Sequence, residues 1–113
     1  MDKVTALHER AMLATDLAFR AKRQEDLEQA ENLFRQAFEL EAQAAMLVPK
    51  DASHAITRAV LYRSAATLAC DCKEYREAER LIGAGLASEP PEAIAIELRE
   101  LYEQLLGHLK SQP

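Results

Sequence analysis

Apolar residues recur at steps of three and four along most of the chain. The organising run is Leu27 to Val48, with Leu27, Ala30, Leu33, Phe34, Ala37, Leu40, Ala44, Leu47 and Val48 on one stripe. That period predicts an amphipathic helix. Asp26 precedes the run as its N-cap, and Gln29, three residues on, completes a capping-box arrangement. Pro49 ends it, because proline lacks the donor and disfavours helix in the residue before it. Phe34 and Phe38 stand beside small alanines on this helix, and the stripe needs partner helices.

The rest of the chain supplies them. A first helix is predicted from Asp2 to Arg23, with Val4, Leu7, Ala11, Ala14, Leu17, Ala18 and Ala21 facing inward. The link of Gln24 to Asp26 is short enough to make antiparallel neighbours. Lys50-Asp51-Ala52-Ser53 is a turn with two candidate caps. A third helix then runs to about Cys72 on an inner face of Ile56, Ala59, Val60, Tyr62, Ala65, Ala66, Leu68 and Ala69. The fourth carries Tyr75, Ala78, Leu81, Ile82, Gly85 and Leu86. Gly83 and Gly85 each cost about 1 kcal/mol relative to alanine inside a helix, so close approach of their backbone to a neighbour is expected there. Ser88-Glu89-Pro90-Pro91-Glu92 is the clearest punctuation. The fifth helix, Pro91 to about Leu109, has the stripe Ile94, Leu98, Leu101, Tyr102, Leu105 and Leu109, with charged residues on its other side. That is the form of an end cap.

Length and composition agree with one all-α domain spanning residues 1–113. Good helix formers dominate, and no alternating β-branched run occurs. The net charge of −5 argues against a nucleic-acid partner and against polybasic membrane adsorption. No apolar run approaches the ~20 residues of a membrane span, and the N-terminus lacks a signal-peptide core. A cytoplasmic location is the resulting expectation. Cys70 and Cys72, two apart on a helix, point to nearly opposite sides and cannot bridge each other. The basic cluster Arg20, Lys22, Arg23 reads as a partner of the helix dipole or as a ligand patch.

The chain repeats itself. Leu17-Ala18, Ala21, Leu27, Ala30, Phe34 and Ala37 match Ala65-Ala66, Ala69, Tyr75, Ala78, Ile82 and Gly85 at the same spacings. This pattern resembles the tetratricopeptide repeat (TPR), with its residue pair on the first helix, Ala-x3-Phe on the second and a closing proline. Here the Leu-Gly pair is Leu17-Ala18 and then Ala65-Ala66; Ala-x3-Phe is Ala30 and Phe34, then Ala78 and Ile82; Pro90 closes the second unit. The resemblance implies a TPR-like α-α superhelix of antiparallel hairpins. It consists of two degenerate repeats, about 11–44 and 59–91, and a capping helix at about 91–110. One departure stands out. Ala30 and Ala78 are 48 residues apart, against a family period of about 34. The surplus of ~14 residues, about four helical turns, is expected to lengthen helices 2 and 3 into a projecting hairpin.

The resemblance implies a scaffold that binds a peptide or protein segment on the concave face lined by each unit's first helix. Met12, Thr15, Phe19, Lys22 and Arg23 point that way from helix 1, and Val60, Arg63, Thr67, Cys70 and Asp71 from helix 3. Exposed Met and Phe beside Arg suit a partner with apolar and acidic groups. The alternative is that Met12 and Phe19 pack on helix 5 or at a dimer contact. The family's chaperone-tail clamp is not implied: Thr15 and Phe19 stand at its lysine and asparagine places, and Ser64 at the asparagine place of the second unit. No enzyme activity or cofactor is expected. His8, His54 and His108 are far apart, in no metal-spacing motif, and read as solvated helix residues. A histidine phosphotransfer domain is the remote enzyme-like rival, but His54 is followed by Ala55-Ile56-Thr57-Arg58-Ala59 rather than by that family's motif. The rival to an interaction module is a self-associating structural protein, a homodimer.

Overall fold

The computed structural model describes residues 2–111. Among them are five α-helices and one 3-10 turn: α1 (Asp2–Arg23), α2 (Leu27–Leu47), the turn Ala52–His54, α3 (Ala55–Asp71), α4 (Tyr75–Ala87) and α5 (Glu92–Lys110). No strand occurs among the described residues. The chain is all-α, as its periodicity requires.

Local chemistry sets the boundaries. The Asp26 carboxylate accepts the Gln29 N–H at 3.2 Å, capping α2. The reciprocal half of the capping box is absent, because the Asp26 N–H donates to Ala21 O at 2.9 Å. That bond belongs to the end of α1. Glu25 stands there in the left-handed region at φ 63°, and its N–H donates to Lys22 O. The pair of bonds is a Schellman motif. It recurs 48 residues on, where Lys73, at φ 64°, donates to Cys70 O and Glu74 to Ala69 O. The two halves of the chain thus share turn geometry as well as spacing. Asp51 caps the 3-10 turn by accepting the His54 N–H at 3.1 Å.

Each helix packs on the next, and α3 also packs on α5. The radius of gyration is 13.9 Å, close to the ~13 Å of a compact chain of this length. Alanines at Ala18, Ala37, Ala65, Ala66, Ala69 and Ala78 are buried and let the helix axes approach. Phe34, Tyr62, Ile82, Leu98 and Leu105 fill the space between them. Two arginines tie distant turns to this core. Arg35 of α2 donates to Glu74 Oε1 and Cys72 O, both at 3.2 Å. Arg58 of α3 donates to Pro49 O at 2.8 Å and to Ser88 O at 3.1 Å.

Four stripe positions differ from the sequence pattern. Leu17, Leu27, Leu47 and Ile56 are exposed. Leu27 and Ile56 lie in first turns, where no neighbouring helix reaches over them, and Leu17 lies on the flank of its stripe. Leu61, outside the sequence-derived face, is buried. The long hairpin also differs. The surplus residues lengthen α2 but not α3, which starts only at Ala55. The distal half of α2 is covered by the first half of α1: His8 meets Glu41, and Lys3, Val4, Leu47 and Pro49 line one small cavity. The extended element is therefore the α1–α2 pair. Gly85 has the expected close approach, since a Cβ there would lie 3.0 Å from Leu98 Cδ1 and 3.2 Å from Tyr62 Cβ. Gly83 does not, as nothing lies within 4 Å of its Cβ position.

Candidate interaction surface

The residues read as partner-facing divide into two groups. On α1, the Phe19 ring stands edge-on to the Phe34 ring, with centroids 5.2 Å apart and an interplanar angle of 85°. This is a favoured aromatic geometry. Phe34 is buried, while Phe19 remains 43% exposed. Phe19 therefore packs on α2, not on α5. Met12 is half-buried, and Lys22 and Arg23 are exposed beside Phe19 at the end of α1. The Thr15 hydroxyl donates to Ala11 O at 2.8 Å, so it is committed within its own helix.

On α3, Val60 is half-buried and packs against the core. The Arg63 guanidinium donates to Glu97 Oε2 of α5 at 2.6 Å. The Thr67 hydroxyl donates to Arg63 O at 3.0 Å. Helices α1 and α3 both pack on α2, and Lys22 near the end of α1 acts electrostatically on Asp71 at the end of α3. There Lys22, Glu31, Phe34, Asp71 and Lys73 line a cleft of about 300 Å³. Burial pushes the Asp71 carboxyl above its ordinary range, and Lys22 pulls it back. The cleft brings Phe19, Lys22 and Asp71 into one neighbourhood through Phe34. It does not include Val60 or Arg63, and Arg63 is held toward α5 by Glu97.

Both thiols are free. Burial pushes Cys70 up to about 11, helped by the nearby Asp71 charge. Burial also raises Cys72, whose thiol donates to Ala69 O at 3.4 Å. The histidines are not simply solvated. His8 Nδ1 lies 2.8 Å from Glu41 Oε1. His54 Nδ1 lies 2.6 Å from Asp51 Oδ1. The His108 ring stacks on Tyr75 with centroids 4.5 Å apart. Each holds a different part of the fold. The signal for the first pair was present in the sequence: Glu41 is a charged residue inside the apolar stripe of α2. Its partner was not legible, because His8 is 33 residues away.

Among the described residues, no group of three or more His, Cys, Asp or Glu side chains converges as metal ligands would. No described helix is long and apolar enough to cross a membrane. Comparison with protein-family models, curated protein sequences and solved structures finds no significant match to this chain.

Proposed function

We propose that this chain is a TPR-like interaction module that takes a peptide or protein segment of a partner along α1 and the cleft at its C-terminal end. The observation that carries this reading is Phe19. Its ring is 43% exposed, yet it is held edge-on against buried Phe34. An aromatic ring already fixed in place loses little entropy when a partner covers it. Lys22 and Arg23 stand exposed beside it. An apolar anchor with a cationic rim suits a segment that carries apolar and acidic side chains.

A displayed peptide library tests this. Sequences pairing a large apolar residue with Asp or Glu should be enriched, and their binding should weaken with salt. Phe19→Ala should reduce affinity on the order of tenfold or more without loss of helical content. An unenriched library, or binding indifferent to Phe19→Ala, would refute the assignment.

A further inference from the structure

A second surface lies away from Phe19, between α2 and α4. These helices both rest on α3 but do not pack along each other. The groove between them has a volume of about 510 Å³. Its floor is apolar: Phe38, Tyr62 and Leu81 present their outer edges, and Ala42 and Ala84 keep it shallow. Met46 stands on the rim at 68% exposure, more than any other large apolar side chain among the described residues.

We propose that this groove is a self-association surface that receives α2 of a second copy, antiparallel to the first, about a two-fold axis near Ala42. Knob and hole occur on the same patch, which is what an isologous contact requires. Phe38 and Met46 each lie four residues from Ala42, about 6 Å along the helix. Reversal about Ala42 therefore sets each Met46 over the other copy's Phe38. A flexible thioether against an aromatic edge is a favourable contact. Ala42, on the axis, lets the two backbones approach, and Gln43 beside it adds no charge.

The charges favour the same orientation. The rim carries Glu39 on α2, and Glu77 and Arg80 on α4. Arg80 pairs with Glu77 on its own helix, and its side chain stays largely exposed. The antiparallel arrangement carries each Glu39 across to the other copy's α4 wall, where Arg80 stands. A parallel arrangement would oppose Glu39 to Glu39. This surface is separate from the Phe19 cleft, so the inference does not rest on the peptide-binding reading.

Sedimentation velocity from about 5 to about 500 µM tests it, a range in which modest interfaces dissociate. A reversible monomer–dimer equilibrium is expected. Met46→Glu should weaken it on the order of tenfold or more, with an unchanged circular dichroism spectrum and melting temperature. Leu13→Glu, on the outer side of α1, should leave it unchanged. Ala42→Cys should give a disulfide-linked dimer under mild oxidation, a readout that does not depend on the stability of the glutamate variant. A monomer across the whole range overturns the proposal. So does a dimer that tolerates Met46→Glu, one lost with Leu13→Glu, or one that Ala42→Cys fails to link.

Discussion

Glu41 carries a carboxylate where the helical pattern reserves a place for apolar side chains, and it is 0% exposed. Among the described residues its side-chain partner is His8, bonded through Nδ1 at 2.8 Å and 3.0 Å. A buried carboxylate is costly unless it is hydrogen-bonded, so the pair matters more through the cost of breaking it than through its attraction. His8→Ala should therefore destabilise the protein by about 1–3 kcal/mol in urea denaturation, the cost of one orphaned polar group. Replacing both partners, His8→Ala with Glu41→Leu, should recover most of that loss, because no charge is then left buried. Equal losses in the single and double variants would show that His8 contributes packing rather than hydrogen bonding.

At the scale of the element, α4 contains two glycines with opposite roles. Gly83 faces open space, so a side chain there meets nothing. Gly83→Ala should stabilise the fold by about 1 kcal/mol through helix propensity alone. At Gly85 the added Cβ would press on Tyr62 Cβ at 3.2 Å and on the buried Leu98 side chain. Tyr62 Cβ cannot yield unless α3 moves. Overpacking of about 1–3 kcal/mol then outweighs the propensity gain, and Gly85→Ala should lower the melting temperature while Gly83→Ala raises it. A melting temperature raised by Gly85→Ala as well would mean that α4 does not seat against α3 and α5 through Gly85. The turns follow the same logic. Glu25, Lys73 and Glu89 all adopt positive φ, a strained conformation tolerated because it ends a helix at that residue.

For the whole molecule, burial along α3 gives stability a dependence on alkaline pH. Cys70 is pushed up to about 11 from an ordinary 9.0, first by burial. A folded-state value above the unfolded one means that the fold prefers the neutral thiol. That preference contributes fully below pH 9.0 and is lost as pH rises toward 11. The melting temperature should fall across this window. Alkylation of Cys70 should be slow at pH 8 and quicken about tenfold per pH unit, since the thiolate is the nucleophile. Cys70→Ala should flatten the stability loss. A melting temperature level from pH 8 to 10, with rapid alkylation at pH 8, would show the thiol to be freely solvated.

Five helices, their order and the caps at Asp26 and Asp51 were legible in the sequence, because they depend on neighbours three and four residues away. Asp26, Asp51 and Pro49 act within one turn, and the matched spacing of Ala30 and Ala78 is a property of the chain alone. The apolar stripe of α5, and that of α2 from Ala30 to Ala44, were readable for the same reason. Contacts between helices decided the rest. The sequence cannot show that α1 covers the distal half of α2, because that depends on how far an antiparallel neighbour reaches past the turn. The same coverage selects His8 as the partner of Glu41. The sequence marks Phe19 as a helix residue near the right face, but only the edge-on contact with Phe34 fixes its ring. It also marks Gly83 and Gly85 alike; only the approach of Tyr62 and Leu98 makes one glycine necessary and leaves the other free.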